Sequence, residues 1–192
     1  CRKDREMDVV RRLLLAIAAS ILLWSPASAQ DVVYGSRGAP IVRFSVPDGW
    51  VWREGDELLA EAMPSGLTPA PRVDTIRPPG EDGVMWVGLW APPQVGNLGE
   101  AREYLRRLGT RLLVDPAVDY QGSRRVNGLP GRIYAGYGGR FGRLLEFVFA
   151  TVQIAPGHVV IVAFIGEASM YDRYEEELVG LLDSVMPVRA RR

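Results

Sequence analysis

Residues 120–165 carry the sequence YQGSRRVNGLPGRIYAGYGGRFGRLLEFVFATVQIAPGHVVIVAFI, which predicts the main part of the sheet. Four segments in it are rich in β-branched and aromatic residues, as strands are. Short breaks that contain glycine or proline separate these segments. Because breaks of this length connect neighbouring antiparallel strands, we predict a run of hairpins. The predicted strands are Tyr120–Val126, Gly131–Tyr137, Arg143–Ile154 and Val159–Ile165.

Two amphipathic helices flank this run of hairpins. The first is predicted at about residues 97–114, where apolar residues recur at spacings of three and four. Asn97 and Glu100 stand at its start like a capping box, in which each side chain satisfies a free backbone N–H of the helix start. The second is predicted at about residues 170–185 by the same spacing, with Ser169 as its cap.

The chain before the first helix predicts further strands. Ile41–Val46 alternates between apolar and polar residues, which is typical of a half-buried strand. Val84–Trp90 is apolar on both faces, so it requires cover on both sides. Glu57–Met63 alternates more weakly and is interpreted as a short strand, whereas the proline-rich segment Ser65–Gly83 is interpreted as a long loop.

The order of these elements predicts the fold class. Strands grouped in runs between two helices indicate an α+β protein with a central, largely antiparallel sheet. No linker-like segment divides residues 30–192, so we expect a single globular domain. Apolar residues make up 47% of the chain and charged residues 24%, and the formal net charge is zero. This composition argues against disorder, a collagen-like repeat or a strongly basic nucleic-acid binder.

The first 29 residues resemble an export signal. Arg11 and Arg12 precede an apolar run that ends at Trp24, and Ala27-Ser28-Ala29 then supplies the small residues of a cleavage site. The run is shorter than the roughly 20 apolar residues of a membrane-spanning helix. We therefore expect a cleaved signal peptide that starts at Met7 and a periplasmic protein. The alternative is an uncleaved leader that anchors the chain to the inner membrane.

Few side chains after residue 29 suit catalysis or metal binding. The one cysteine is Cys1, which excludes thiol catalysis, disulfides and thiolate metal sites from the rest of the chain. The one histidine, His158, lies in a predicted turn. Gly136–Gly142 approaches a G-x-G-x-x-G phosphate loop, but a strand follows it where such a loop requires a helix. We therefore expect no catalytic, metal-binding or cofactor-binding residues, no cofactor and no enzymatic activity.

One stretch of the chain carries an asymmetric charge. Residues 120–145 contain five arginines and no acidic residue, with aromatic residues between them. Arginine forks bind carboxylates and phosphates, and aromatic rings add stacking, so this stretch predicts an interaction face. The candidate residues are Arg124, Arg125, Arg132, Tyr137, Arg140 and Arg143.

The expected partner of this face is an envelope protein, or alternatively an anionic membrane surface. Nucleic acid is not expected as a partner. Five basic and three acidic residues lie in the first 29, which leaves 18 basic and 20 acidic residues in the rest of the chain. A nucleic-acid binder would carry an excess of basic residues instead. The sequence predicts no oligomeric state.

The tryptophans suggest a rival function. Trp50 and Trp52 are two residues apart, so they share a face if the chain is extended. Trp86 and Trp90 lie in a predicted strand. Tryptophans at such spacings are most often core residues. The alternative hypothesis is a carrier for a small apolar ligand in a tryptophan-lined cavity.

Four short motifs follow one another along the chain. They are Phe44–Trp50 (FSVPDGW), the helix behind Asn97-Leu98, Arg125–Gly131 (RVNGLPG) and Tyr174–Val185, which ends in LLDSV. In this order they resemble the PsbP-like/DcrB-like family of small exported domains, over most of residues 41–188. The resemblance implies an α/β/α sandwich around a central antiparallel sheet and a role as an accessory or assembly factor. It supplies no catalytic residues, and this chain has no lipobox cysteine of the kind that DcrB-type members commonly carry.

The expected function is therefore that of an exported, non-catalytic accessory or binding module that acts through a protein-interaction surface. The carrier hypothesis is the first alternative. An undetected hydrolase is a third hypothesis, which would require paired titratable groups in a pocket.

Overall fold

The computed structural model describes residues 29–36, 39–55, 72–80 and 84–188. The expected signal peptide lies outside the described residues except for its last position. The strand interpreted at Glu57–Met63 lies outside them entirely.

Within these ranges the chain forms ten strands and two helices. The strands are β1 (Gln30–Ser36), β2 (Ala39–Val46), β3 (Val51–Arg53), β4 (Asp74–Arg77), β5 (Met85–Trp90), β6 (Val114–Val126), β7 (Leu129–Arg140), β8 (Arg143–Ala155), β9 (His158–Gly166) and β10 (Met186–Pro187). The helices are α1 (Leu98–Leu112) and α2 (Ala168–Ser184).

A seven-stranded antiparallel sheet forms the centre of the fold, with the strand order β3-β4-β5-β9-β8-β7-β6. A smaller antiparallel sheet has the order β1-β2-β10. The four strands predicted in residues 120–165 are β6 to β9, and they pair as consecutive hairpins. The predictions of an α+β fold, a largely antiparallel sheet and two main helices near residues 97–114 and 170–185 are therefore confirmed.

The two helices cover opposite faces of the central sheet. α1 lies on the face that carries Trp90, whose indole N–H donates to the Tyr104 hydroxyl at 3.3 Å. α2 and the small sheet lie on the other face, where Asp183 of α2 forms an ion pair with Arg124 of β6. The strand register places Trp90 and Arg124 on opposite faces. This cover explains why β5, β8 and β9 are buried along most of their length, and it confirms the expected α/β/α arrangement.

The prediction of a loop throughout Ser65–Gly83 is wrong, because β4 lies in this segment. β4 pairs with β3 on one side and with β5 on the other. Its residues Asp74 and Thr75 are both buried. A four-residue strand that is buried on both faces, and that includes polar residues, lacks the alternation by which a strand is recognised in a sequence.

A partly buried polar cluster joins the small sheet to the central sheet. The Tyr34 hydroxyl donates to the carbonyl oxygen of Arg72 at 2.7 Å and accepts from the Ala91 N–H at 3.3 Å. The Arg72 guanidinium lies 4.8 Å from the centre of the Tyr34 ring and 3.1 Å from the Asp74 carboxylate. Burial raises the pKa of Asp74, while the charge of Arg72 opposes that shift. The ion pair thus compensates a carboxylate that would otherwise be costly to bury.

The two helix starts have different capping. The Asn97 side chain accepts hydrogen bonds from two backbone N–H groups at 2.9 and 3.0 Å, and the Glu100 carboxylate accepts from the Gly96 N–H at 2.7 Å. This arrangement confirms Asn97 as the predicted cap. The prediction of Ser169 as the cap of α2 is wrong, because Glu167 occupies the cap position and its side chain forms no capping bond.

The close approach of β6 and β7 at Gly136 predicts a large effect of a small substitution. A Cβ atom at Gly136 would lie 1.9 Å from the carbonyl oxygen of Ala117. We expect Gly136→Ala to lower the free energy of unfolding by about 2–3 kcal/mol, because the backbone of one strand has to move. Denaturation in urea measures this change.

The matched control is Gly109→Ala in α1, where a Cβ atom would meet nothing within 4 Å. Alanine is the better helix former, so we expect this control to gain about 0.5–1 kcal/mol. If both variants unfolded at the same denaturant concentration, the described approach of β6 and β7 would be wrong.

Candidate functional site

The six predicted interaction residues do not form one surface. Arg124 and Arg125 lie beside the β6–β7 turn, whereas Arg140 and Arg143 lie at the β7–β8 turn. About 30 Å of β7 separates the two groups, at roughly 3.3 Å per residue. Arg132 is half-buried and lies on the α1 face of the sheet, opposite to Arg124. The strand geometry therefore divides the predicted face into separate parts.

The arginines beside the β6–β7 turn bind groups of their own chain. The Arg124 side chain is 15% exposed, and one of its nitrogens donates to both Asp183 carboxylate oxygens, at 2.7 and 2.8 Å. Arg125 donates to the carbonyl oxygen of Gly128 at 2.9 Å. Arg124 thus ties β6 to α2, and we assign it a structural role.

The β7–β8 turn and the strand ends around it form an exposed surface that is both apolar and basic. The exposed fractions of Phe141, Leu144 and Val114 are 83%, 67% and 68%. Large apolar side chains at such exposure are unusual when they are grouped, and grouped ones mark contact sites. We call this surface the tip surface, and its members are Val114, Tyr137, Arg140, Phe141, Arg143 and Leu144.

The strand register makes the apolar part of the tip surface contiguous. Val114 of β6 and Leu144 of β8 both pair with Gly139 of β7, from opposite sides. Because Gly139 has no side chain, no side chain of β7 separates Val114 from Leu144 at this position. Tyr137 lies two residues along β7 and therefore on the same face of the sheet.

Phe141 occupies a backbone conformation that aromatic residues rarely adopt. Phe141 and Gly142 have φ angles of 52° and 72°. Asn127 and Gly128 form the neighbouring β6–β7 turn with φ angles of 50° and 78°. Asn-Gly is a preferred pair in such two-residue turns, because asparagine tolerates the left-handed region and a bulky side chain does not. Neither core packing nor turn geometry accounts for the phenylalanine at this position.

Two arginines place positive charge beside this aromatic ring. The Arg140 guanidinium lies 4.9 Å from the centre of the Phe141 ring. Arg143 forms an ion pair with Glu167. In the part of the chain that the structure describes, Arg140 has no carboxylate partner. Arg140 is half-buried and lies on the sheet face opposite to Val114 and Leu144, so it is a cation at the hairpin end that no carboxylate of the described residues neutralises.

An acidic group lies behind the tip surface. Glu146 pairs with Tyr137 across the β7–β8 hairpin and is half-buried. Burial raises the pKa of Glu146, and the negative charges of Asp172 and Asp119 raise it further. The basic end of the hairpin is therefore followed, three ladder positions further in, by the negative charge around Glu146.

Sequence reasoning identified the polar part of the tip surface but missed Val114 and Leu144. Val114 precedes the predicted start of its strand, and Asp115 and Pro116 conceal the strand character of this segment. Leu144 is exposed whereas Leu145 is buried. Buried and more exposed side chains alternate at the start of β8. If this alternation is extended to Leu145 and Leu144, it predicts that Leu144 is exposed.

The tryptophans do not line a common cavity. Trp86 and Trp90 lie on the α1 face of the central sheet. Trp50 packs edge-on against Tyr174 of α2, with 5.2 Å between the ring centres, on the opposite side of the sheet. The indole N–H of Trp52 donates to the carboxylate of Asp74 at 3.3 Å. These contacts make the tryptophans parts of two separate layers of the core.

The remaining sequence candidates lie in or next to turns. His158 was predicted within the β8–β9 turn and is instead the first residue of β9; it is exposed, and its Nδ1 lies 3.1 Å from the carbonyl oxygen of Pro156. Gly136–Gly142 forms the end of β7 and the β7–β8 turn, as predicted, and not a loop before a helix. Among the described residues, no group of three histidines, cysteines or carboxylates is placed to hold a metal ion. No helix in residues 29–36, 39–55, 72–80 or 84–188 is both long and apolar enough to cross a membrane.

The turn comparison predicts that Phe141→Asn leaves the fold intact and stabilises it by up to about 1 kcal/mol. Asparagine relieves the unfavourable backbone conformation, while the loss of the contact between Arg140 and the ring offsets part of that gain. The reciprocal change, Asn127→Phe, should destabilise the fold by a similar amount. Urea denaturation of both variants checks these signs. A clear loss of stability in Phe141→Asn would mean that the ring contributes to the fold.

The position of Glu146 predicts a pH dependence of stability. Because its pKa is higher in the folded than in the unfolded chain, the folded protein loses stability as the pH rises through the interval between the two pKa values. Glu146→Gln removes this ionisation. We therefore expect the stability of the variant relative to the wild type to rise as the pH increases above about 4, as measured by thermal unfolding. The exposed Glu103→Gln serves as control, and an equal trend in both variants would contradict the assignment to Glu146.

The chain is similar to two solved structures at the level of the fold only. A solution structure of the cyanobacterial PsbP protein CyanoP from Synechocystis has 13% sequence identity and a TM-score of 0.54, over 88% of this chain and 98% of that one. A crystal structure of LpqN, described as involved in cell envelope biogenesis of Mycobacterium tuberculosis, has 13% identity and a TM-score of 0.51, over 84% of this chain and 91% of that one. No family model and no curated protein sequence matches the chain. These likenesses show that the chain has the PsbP-like fold, as its sequence motifs suggested.

Proposed function

We propose that this protein is an exported, non-catalytic accessory module that works at the cell envelope by surface contact through the tip surface. The observation that carries the proposal is Phe141, which is 83% exposed in an unfavourable turn conformation. A side chain that contributes neither to the core nor to the turn is best explained by a contact outside the chain.

The sequence and the fold support the exported and non-catalytic parts of this proposal. The first 29 residues have the pattern of an export signal, and the chain after them contains no cysteine. The single histidine, His158, is the exposed first residue of β9, and the hydrogen-bond partner of its ring among the described residues is the carbonyl oxygen of Pro156 and not a nucleophile. The similarity to LpqN, whose described role is in envelope biogenesis, agrees with work at the envelope as a fold-level analogy.

The carrier hypothesis receives less support from the described residues. A carrier would need its tryptophans to converge on one cavity, and Trp50 and Trp90 lie on opposite sides of the central sheet. Both side chains are buried, as core residues are. We therefore prefer surface contact to enclosure of a ligand.

Fractionation of cells tests the proposed function. The full chain is expressed with its own leader, and the cytoplasmic, periplasmic and membrane fractions are separated. We expect the wild type outside the cytoplasm, with a share in the membrane fraction that falls about tenfold or more in the Phe141→Asn/Leu144→Ser variant, because exposed apolar area is lost from the contact.

The matched control replaces two exposed valines that lie elsewhere. Val33 of β1 and Val51 of β3 are exposed apolar side chains outside the tip surface, and Val33→Ser/Val51→Ser should fractionate like the wild type. A wild type confined to the cytoplasm would refute export. If the share in the membrane fraction fell equally in both double variants, the tip surface would not be the contact site.

A further inference from the structure

We propose that the tip surface binds an anionic membrane surface, with Phe141 and Leu144 entering the boundary between headgroups and acyl chains and with Arg140 bound to lipid phosphate. This inference rests on the proposed function and names the partner of the same surface. It follows from the shape, the charge and the backbone geometry of the β7–β8 hairpin.

The shape of the tip surface suits a soft partner. Phe141 stands at the apex of a two-residue turn, so its ring projects beyond the strands that carry it. Leu144 and Val114 flank this apex on one face of the sheet. A projecting apolar apex needs a partner that closes around it. A lipid surface does so without a preformed pocket, whereas a protein partner would need a matching cavity.

The backbone of the hairpin suits entry into the membrane interface. Arg140 and Arg143 pair directly across the turn, so the ladder of β7 and β8 continues to the last residue before Phe141. Only the two turn residues lie beyond the paired strands. A closed hairpin end therefore carries few unpaired N–H and C=O groups toward the apolar layer, where such groups are costly.

The charge of the hairpin end complements anionic headgroups. Arg140 has no carboxylate partner among the described residues, and its guanidinium lies next to the Phe141 ring. A guanidinium binds phosphate in a bidentate manner, and the apolar ring beside it can enter the boundary between headgroups and acyl chains. Arg143 adds positive charge, although its ion pair with Glu167 neutralises part of it.

The acidic cluster behind the tip surface limits the depth of entry. Glu146 follows Leu144 by two residues, which is about 7 Å along the strand. Asp172 of α2 and Asp119 of β6 each act on Glu146 electrostatically, so negative charge gathers around this position. Negative charge there repels anionic lipid. The geometry therefore favours shallow contact by the turn residues over deep insertion of the sheet.

Sedimentation with lipid vesicles tests the proposal. The protein is purified from the exporting cell in the form that the cell produces. It is mixed with vesicles of phosphatidylcholine that contain phosphatidylglycerol, and with vesicles of phosphatidylcholine alone. We expect the wild type to bind the anionic vesicles, with binding that weakens as salt concentration rises, and to bind the neutral vesicles about tenfold less or not at all.

Three variants assign the binding to the tip. Phe141→Asn, which keeps the turn, should lower binding to anionic vesicles about tenfold. Arg140→Gln should lower binding to anionic vesicles and leave the weak binding to neutral vesicles unchanged. Val33→Ser should bind like the wild type. Unfolding curves recorded on the same samples separate a loss of contact from a loss of fold.

The outcomes distinguish this inference from the proposed function. Suppose the wild type binds neither kind of vesicle, while its share in the membrane fraction of cells still depends on Phe141. The lipid proposal is then wrong, and the tip surface binds an envelope protein. If the wild type and Phe141→Asn bind vesicles equally, the tip is not the membrane contact. If neither the binding to vesicles nor the share in the membrane fraction depends on Phe141, both proposals are wrong.

Discussion

The need to cover both faces of the central sheet governs this structure. β7 and β8 have 12 and 13 residues, so each spans about 40 Å. α1 and α2 have 15 and 17 residues and span only about 22–25 Å. The central strands are apolar on both faces and require cover. α2 supplies this cover along nearly the whole sheet, because Glu167 at its start pairs with Arg143 and Asp183 at its end pairs with Arg124. The residues of the β7–β8 turn, Phe141 among them, remain exposed.

The chain uses its two hairpin ends differently. At the β6–β7 end, Asn127 and Gly128 form a turn that suits their backbone angles, and Arg124 binds Asp183 of α2. That end is therefore closed by interactions within the chain. At the β7–β8 end the same kind of turn contains Phe141, and the neighbouring Arg140 has no acidic partner among the described residues. Because the two turns share one geometry, the difference between them reflects their surroundings and not the requirements of a hairpin.

The sequence predicted those elements whose pattern is repeated over several turns or strands. Consecutive hairpins and the stripe of α1 could be recognised because each residue position supports the next. β4 was not predicted because it is short and because its buried Asp74 interrupts the apolar pattern of a strand. Its position depends on pairing with β3 and β5, which the local sequence does not show. The candidate face was divided for a related reason. Arginines that are close in the sequence need not be close in the fold. The 12-residue strand β7 separates Arg125 and Arg140, which lie at opposite ends of the hairpins.

The costs of the tip surface fall where the fold can best tolerate them. Phe141 has a backbone conformation in the left-handed region, and Glu146 is half-buried under the influence of two other carboxylates. Each of these features reduces the stability of the fold. Phe141 lies in an exposed turn and Glu146 is only half-buried, whereas the core depends on the middle of β5, β8 and β9. Local strain at the end of the hairpin can therefore be kept without disturbing the packing of the core. Substitutions in the turn can then alter the tip surface while the core stays the same.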